Sequence, residues 1–223
     1  MGKVKKSHGN MYSWVSHMWS PSVGCPHQCT YCYITEHKEL PETVTMELPF
    51  PNLGSGRTIF VGFECDLFAE GVSSEDISSV LTHCRSFDNN YVFQSKNPAR
   101  IANFSSELPV NSLIGTTIET NRVELITAIS KAPSPWKRAH GLRAVKELGF
   151  KTFVTVEPIM DCDPILLRNI IATCVPEFVN IGADSKDHGL KEPSKEKVQQ
   201  LIDHMLDYGI EIRNKSNLAR LLT

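Results

Sequence analysis

Strand-like apolar runs alternate with helix-like amphipathic runs along this sequence, and this alternation restricts the fold more than any other feature. Residues 58–63 are mostly apolar and predict a buried strand, while residues 73–84 after them carry apolar side chains at helical spacing. The same unit recurs five or six times. The predicted strands cover residues 12–20, 58–63, 91–94, 112–118, 152–156 and 178–181, with a short last strand at 210–213. This order favours a parallel α/β sheet.

The chain length limits how many such units can be present. A complete eight-unit barrel needs about 250 residues, whereas these 223 residues leave room for six units and an N-terminal extension. Residues 1–11 are polar and basic and predict a flexible arm, and residues 12–223 predict a single domain. A short helix is also expected at residues 34–40, between the first two strands.

Polar side chains follow the predicted strands at the point where each strand ends. Functional groups of a parallel barrel collect at the carboxyl ends of its strands, so these residues mark a candidate site. They are Glu64, Cys65 and Asp66 after the second strand, Ser95, Lys96 and Asn97 after the third, Thr116, Thr117 and Glu119 at the fourth, Glu157 at the fifth and Asp184 at the sixth. Each could instead be a helix cap or a solvated loop residue, and a cap is the better interpretation of Asn97.

Three cysteines lie close together on the loop that follows the first predicted strand. Cys25, Cys29 and Cys32 have the spacing C-x3-C-x2-C. Three thiolates are one too few for a four-ligand structural zinc site and for the usual four-cysteine iron–sulfur cluster. On a cluster of four irons they would leave one iron open to an amine and a carboxylate, the pair of groups at the methionyl end of S-adenosylmethionine.

The cysteine spacing, with Tyr31 directly before the last cysteine, resembles the signature of the radical S-adenosylmethionine (radical SAM) enzymes. Most of the chain is also similar to a phage-associated family of small radical SAM proteins that is distantly akin to spore photoproduct lyase. The segments that carry this similarity are residues 18–25, 59–68, 93–98, 114–119, 156–158 and 181–184. The resemblance implies a partial (β/α)6 TIM-type barrel, and the count of predicted strands agrees with it.

The resemblance also implies two cofactors, a [4Fe–4S] cluster held by Cys25, Cys29 and Cys32, and S-adenosylmethionine. The reduced cluster would cleave S-adenosylmethionine to methionine and a 5′-deoxyadenosyl radical, which abstracts a hydrogen atom from the substrate. A reductant such as flavodoxin or ferredoxin would be a partner. The phage-associated resemblance suggests a small molecule, a nucleobase or a modified nucleotide, including a DNA base, as the substrate.

Roles for the residues at the strand ends follow from the same resemblance. Gly62, Glu64 and Asp66 match the turn that binds the amino group of S-adenosylmethionine, and Glu119 with Thr117 would hold the ribose hydroxyls. The other candidates for cofactor binding are the backbone around Tyr31 and Tyr33 for adenine, Lys96 for the cofactor carboxylate or a substrate anion, and Ser95 and Glu157.

Two further cysteines lie just past predicted strand ends. Either Cys65 or Cys162 could return a hydrogen atom to a product radical, and Cys65 is the candidate catalytic residue. The alternative interpretation of each is a small buried apolar side chain.

Two other function classes fit parts of the sequence. The three cysteines with His17, His27 or His37 could ligate zinc, in a zinc-binding or nucleic-acid-binding module without radical chemistry. A degenerate relative that binds the cofactor without turnover is the third possibility, which the intact cysteine triad disfavours.

Composition and cysteine usage restrict the cellular compartment and the kinds of partner that can be expected. No apolar run is long enough to cross a membrane, and the lysines near the N-terminus are not followed by the apolar core of a secretory signal. Seven cysteines, an odd number with one tight cluster, argue against a disulfide framework and favour the reducing cytoplasm. The net charge of −2 gives no global sign of a nucleic-acid partner.

Overall fold

A computed structural model describes residues 3–35 and 40–223 of the chain. In chain order, the strands are β1 Lys5–Lys6, β2 His17–Trp19, β3 Ser22–Val23, β4 Thr45–Met46, β5 Thr58–Val61, β6 Asn90–Gln94, β7 Ser112–Thr117, β8 Lys151–Val156, β9 Phe178–Ile181 and β10 Glu211–Asn214. The helices are α1 Ser74–Arg85, α2 Pro98–Ala102, α3 Val123–Thr127, α4 Pro135–Glu147, α5 Pro164–Thr173 and α6 Lys195–Asp207, and a 3-10 helix covers Ser216–Leu221.

One sheet of eight strands organises the described part of the chain, in the order β1-β2-β5-β6-β7-β8-β9-β10. In this sheet the strands after β1 pair in parallel, and β1 pairs antiparallel with β2 at the edge; β3 and β4 pair antiparallel in a separate two-stranded sheet. From β5 onward a helix connects each strand to the next one in the sheet. The architecture is therefore the α/β partial barrel that the strand count predicts, with β10 as a further parallel strand.

Alternate side chains of the strands belong to two separate apolar clusters. Val154 and Val156 of β8 pack with residues of the helices, whereas Phe153 packs with Phe178 and Tyr12. Because successive side chains of a strand point to opposite faces, the first cluster lies between the sheet and its helices and the second fills the barrel interior. Burial on both faces explains why the strands read as nearly continuous apolar runs.

The first strand is shorter than the predicted 12–20, because only His17–Trp19 belong to β2. The N–H of Val15 donates to the carbonyl oxygen of Tyr12 at 3.0 Å, which closes a turn ahead of the strand. Tyr12 stacks on Trp14 with 5.1 Å between ring centroids, and Trp14 meets Phe178 edge-on at 5.8 Å. The prediction of a strand over 12–16 was wrong because an aromatic segment that fills a core has the same composition as a strand.

Side-chain caps mark the starts of two helices, α1 and α5. The side chains of Ser73 and Asp163 each accept a hydrogen bond from a first-turn N–H, at 3.0 and 2.9 Å. Asn97 is different: α2 begins directly after it, but its side chain makes no capping bond and its amide donates to the carbonyl of Phe68 at 3.3 Å. Within the described ranges, no helix has the length and apolar character needed to cross a membrane.

Residues of the predicted N-terminal arm contact the sheet. Lys5 and Lys6 pair with Met18 and His17 as strand β1, because residues 7–16 bring the chain back alongside β2. The division into an arm and a domain at residue 12 stays a prediction. The helix predicted at 34–40 falls mostly on residues 36–39, which lie outside the described part of the chain.

Candidate functional site

The cysteine loop lies beside the carboxyl end of β5. Gly24, at φ +97°, forms a bridge with Cys65, and a Cβ on Gly24 would overlap the carbonyl oxygen of Thr43. Only glycine fits this position without strain. Backbone hydrogen bonds hold the loop on its other side, from the Cys25 N–H to the carbonyl of Pro41 at 2.8 Å, and from the N–H groups of Thr30 and Lys131 to the carbonyls of Ile129 and His27 at 2.9 and 2.7 Å.

The three cysteines of the loop are free, half-buried thiols. Burial and the charge of Asp66 raise the pKa of the Cys25 thiol to about 12, and burial also raises the pKa of Cys32. Thiolates at these positions would therefore need a bound metal to stabilise them. Cys29 Sγ lies 3.1 Å from the Ser130 hydroxyl and 3.5 Å from Lys96 Nζ.

The alternative of a single zinc ion depends on whether a histidine joins the three cysteines. Among the described residues, no three His, Cys, Asp or Glu side chains converge on a single metal position. His27 Nε2 lies 2.9 Å from Asp66 Oδ2, and His17 Nδ1 bonds to the Ser16 hydroxyl at 2.9 Å, so each ring has its other nitrogen left for a further partner. His37, the third candidate zinc ligand, lies outside the described residues.

Asp66 ties the cysteine loop to the ends of two strands. Its Oδ2 accepts from the N–H of Lys96 at 2.8 Å as well as contacting His27, and its Oδ1 accepts from the N–H of Phe68 at 3.1 Å. Burial alone would raise the pKa of this carboxyl, but the hydrogen bonds and charge of His27 and the hydroxyl of Ser95 lower it. Asp66 therefore fixes the position of its neighbours as an ionised acceptor.

Glu119, Lys96, Tyr31 and Arg138 form a buried polar network next to Cys29. Arg138 Nη1 lies 2.7 Å from Glu119 Oε2, Lys96 Nζ lies 3.1 Å from Glu119 Oε1, and the Tyr31 hydroxyl donates to the same Oε1. Lys96 Nζ also donates to the Tyr31 hydroxyl at 2.6 Å. Burial opposes ionisation of Glu119, but the charges of Arg138 and Lys96 and the Tyr31 hydrogen bond lower its pKa to about 2.

This network carries one carboxylate and two cations, so it favours an anionic ligand. Lys96 links the two halves of the site because its Nζ contacts both Cys29 and Glu119. Arg138 is fully buried, and its Nη2 has no hydrogen-bond partner among the described residues. The arrangement can hold a carboxylate or a hydroxyl-bearing group next to the cysteines.

Other predicted residues also lie at the carboxyl ends of the strands but outside this network. Gly62, at φ +87°, lies against Cys65, and burial raises the pKa of the Cys65 thiol to about 11, so that thiol keeps its hydrogen at neutral pH. Ser95 accepts from the N–H of Asn97 at 2.8 Å, and the Tyr33 hydroxyl donates to the carbonyl of Phe63. 

Three predicted cofactor residues have separate surroundings. The Glu64 N–H donates to the Ser20 hydroxyl at 2.7 Å, and Thr117 accepts from the Gln94 amide at 2.9 Å inside the barrel. Glu157 accepts from Asn10, Asn217 and Lys215 at 2.7, 2.8 and 2.5 Å, and Asn10 and Asn217 line an open cleft of about 380 Å³. The side chains of Thr117 and Glu157 thus bond to groups other than Lys96 and Glu119.

Sequence reasoning missed Arg138, the partnership of His27 with Asp66, and the interior hydroxyl of Tyr12. Tyr12 bonds to Gln94 at 2.7 Å and to Thr155 at 2.5 Å. Arg138 lies on α4, which begins with a proline. Nothing in the neighbouring sequence distinguishes this arginine from one on the surface.

Solved structures that share this fold are radical SAM enzymes. A spore photoproduct lyase variant superposes with a TM-score of 0.63 at 12% identity over 88% of this chain and 64% of that chain. A radical SAM methyltransferase from Sphaerobacter thermophilus gives 0.60 at 13% over 92% and 67%, and methylornithine synthase gives 0.52 at 12% over 88% and 70%. Another spore photoproduct lyase structure contains bound AdoMet and a dinucleoside spore photoproduct.

These comparisons define a class by fold: the chain has the partial TIM-barrel fold of the radical SAM enzymes. This chain spans about 64% of the length of the spore photoproduct lyase variant. No protein-family model matches the sequence, and no curated protein matches it.

Proposed function

We propose that this chain is a radical SAM enzyme in which Cys25, Cys29 and Cys32 hold a [4Fe–4S] cluster whose open iron binds S-adenosylmethionine. The observation that carries the proposal is the position of the three-cysteine loop at the strand ends of a radical SAM-type barrel, with Lys96 contacting both Cys29 and Glu119. When bound, the two cofactors supply one electron and a carbon-centred radical that removes a hydrogen atom from the substrate.

The residues of the chain bind and orient the cofactor. Lys96 and Arg138 would attract the carboxylate of S-adenosylmethionine. Glu119 would accept hydrogen bonds from the ribose hydroxyls once Tyr31 or Lys96 no longer contacts Glu119 Oε1. The turn from Gly62 to Glu64 would face the amino group. Ser95, Thr117, Tyr33 and Glu157 stay candidates for further contacts, and Asp66 holds the backbone of this edge in place.

The substrate we propose is a nucleobase or a modified nucleotide. Support comes from the similarity to the phage-associated proteins and from spore photoproduct lyase, which has been solved with a dinucleoside product of this kind. Cys65 would return a hydrogen atom, because a half-buried thiol whose pKa is raised carries the hydrogen that such a step requires. A flavodoxin or ferredoxin in a reducing cytoplasm would supply electrons, in keeping with seven free cysteines.

Electron paramagnetic resonance on anaerobically reconstituted, dithionite-reduced protein tests the proposal. We expect a [4Fe–4S] signal that changes when S-adenosylmethionine is added. Cys25→Ala, Cys29→Ala and Cys32→Ala should each lose the signal. Cys174→Ala is the matched control, since Cys174 is buried at the end of α5, away from the loop, and should keep it. A colourless, zinc-loaded protein, or a signal indifferent to S-adenosylmethionine, would reject the proposal.

A further inference from the structure

A second charged cluster also lies at the carboxyl ends of the strands and has no role in the proposed cofactor site. Asp161 is 8% exposed, and three cations surround its carboxylate. Arg122 Nε lies 3.0 Å from Oδ2, Lys197 Nζ 2.5 Å from Oδ1, and Lys191 Nζ 3.8 Å from Oδ2. We call these four residues the Asp161 cluster.

The Asp161 cluster joins three successive connections at the carboxyl ends of the strands. Arg122 follows β7, Asp161 follows β8, and Lys191 and Lys197 follow β9. The cluster adjoins the proposed cofactor site through the backbone, because the N–H of Met160 donates to the carbonyl of Glu119 at 3.0 Å. The Thr120 hydroxyl also donates to the carbonyl of Asp161 at 2.7 Å.

The cluster has more positive than negative charge. The nearby acids are engaged elsewhere: Asp163 caps α5 at 2.9 Å, and Glu192 pairs with Arg220 at 2.7 Å. Lys197 lies in the first turn of α6, where the helix dipole disfavours a cation. One carboxylate therefore orders three cations without neutralising them, although holding the loops together would need only one or two of them.

The cations of the cluster are accessible to a ligand. The side chain of Lys191 is 69% exposed, and those of Arg122 and Lys197 are 35% exposed. Arg122 has a planar guanidinium that matches phosphate oxygens, and lysines contribute point charges. Clustered Arg and Lys side chains on one face are the electrostatic feature by which proteins bind nucleic-acid phosphates.

We infer that the Asp161 cluster binds a phosphate group of the nucleotide substrate, from a mononucleotide or from a single-stranded backbone. This inference rests on the proposed function, because it assigns a substrate contact to the same site. Asp161 is then a positioning residue that orients the three cations.

Fluorescence anisotropy with a labelled single-stranded oligonucleotide tests the inference on reconstituted protein. The variant is Lys191→Gln with Lys197→Gln. The matched control is Lys146→Gln with Lys151→Gln. It removes the same charge from the end of α4 and the start of β8, at the amino ends of the strands. We expect affinity at low salt to fall about tenfold in the cluster variant, and the slope of log K against log salt to fall by about 1.4, or 0.7 for each contact. The control should bind like the parent chain.

Competition separates the two sources of phosphate. Displacement by a deoxynucleoside monophosphate at concentrations near the oligonucleotide's own Kd would identify a mononucleotide ligand, and displacement only by unlabelled oligonucleotide would identify a strand backbone. Equal affinity and salt slope in the parent and the cluster variant, an equal loss in the control, or no binding of any probe would overturn the inference. Thermal unfolding of each variant confirms that it is folded.

The two proposals fail in different experiments. Cluster-dependent oligonucleotide binding without a cofactor-sensitive paramagnetic signal would reject the radical SAM function alone. A normal paramagnetic response with unchanged binding by the cluster variant would reject the phosphate site alone.

Discussion

Glu119 and Arg138 form an ion pair from which solvent is excluded on both sides. Removing one partner of such a pair leaves an uncompensated buried charge, which costs far more than losing a surface pair. Lys96 compensates part of the charge of Glu119, and Arg138 also donates to the carbonyls of Thr117 and Pro133 at 2.9 and 2.6 Å. The arginine therefore holds both the strand end and the carboxylate of the candidate site.

Arg138→Gln is expected to lower the free energy of unfolding by about 3–5 kcal/mol. Urea unfolding of chelator-treated protein measures this without contribution from a metal. Arg143→Gln on the same helix is the control, because its exposed pair with Glu147 contributes about 0.5 kcal/mol or less. A loss below about 1 kcal/mol for Arg138→Gln would contradict the structural role described here.

The stability of the protein should also depend on pH through Glu119. Its pKa is lowered on folding from 4.5 to about 2, so its contribution is fully present above pH 4.5 and is lost as the pH falls towards 2. A pKa change of this size corresponds to about 3 kcal/mol. We expect the free energy of unfolding to fall less steeply between these pH values in Glu119→Gln than in the parent chain. If the free energy of unfolding fell equally steeply with pH in both chains, folding would not lower the pKa of Glu119.

At the residue scale, the sequence identifies side chains near strand ends but not those that reach the site from elsewhere. Lys96 and Glu119 are predictable because each directly follows a strand, and the structure joins them at 3.1 Å. Arg138 lies in the middle of α4, where an arginine normally faces solvent, and its contact with Glu119 exists only in the folded chain. The contact of His27 with Asp66 spans 39 residues and has no local signal either.

The packing of α2 against α4 depends on a glycine. A Cβ on Gly141 would lie 2.5 Å from the backbone nitrogen of Ala99, too close for any real contact. Helix propensity favours alanine over glycine by about 1 kcal/mol, so propensity and packing act in opposite directions here. The clash involves backbone, which cannot move aside without shifting α2.

Gly141→Ala is therefore expected to destabilise the protein by about 1–3 kcal/mol, in spite of its favourable propensity. Chemical denaturation gives the sign directly. If the variant proved more stable than the parent chain, the two helices would have to be farther apart than described.

The cysteine loop depends on glycine in a similar way. Gly24→Ala introduces a Cβ into the carbonyl of Thr43, so we expect anaerobically reconstituted protein to contain less iron and sulfide per chain. Gly71→Ala is a matched control, because Gly71 also has a positive φ, +88°, but faces open space. Equal iron content in the two variants would mean that the loop tolerates the change.

At the element scale, prediction works where the signal is local. The caps at Ser73 and Asp163 fix where α1 and α5 begin, and periodic apolar residues fix the strands from β5 to β9. The segment from Tyr12 to Trp14 has the composition of a strand, but it packs against Phe153 and Phe178, which arrive more than 130 residues later in the sequence. No local pattern distinguishes these two outcomes.

At the scale of the whole molecule, the N-terminal residues connect distant parts of the barrel. Asn10 bonds to Glu157, and Lys215 Nζ donates to the carbonyl of Asn10 at 2.6 Å. The buried apolar core nevertheless begins at Tyr12. Of the residues before Tyr12, Val4 and Met11 pack against the core while staying partly exposed.

A chain starting at Met11 should fold cooperatively and lose about 4 kcal/mol of stability or more, because it lacks strand β1 and the hydrogen bonds of Ser7 and Asn10, at about 1 kcal/mol for each lost bond. Urea unfolding followed by circular dichroism measures both the cooperativity and the loss. Asn10→Ala in the full chain should account for part of the effect. An insoluble or non-cooperative product would place the domain boundary before residue 11.

Because the order of strands in the sheet follows their order in the chain, the barrel can grow one strand at a time as the ribosome releases it. Each new strand from β5 to β10 meets an edge that is already formed. The barrel interior forms later, because the aromatic rings of Tyr12 and Trp14 cannot pack against Phe153 and Phe178 until those residues have been synthesised. Until then a nascent chain presents a curved, uncovered apolar surface, and this stage of its synthesis is where we expect chaperones to bind it.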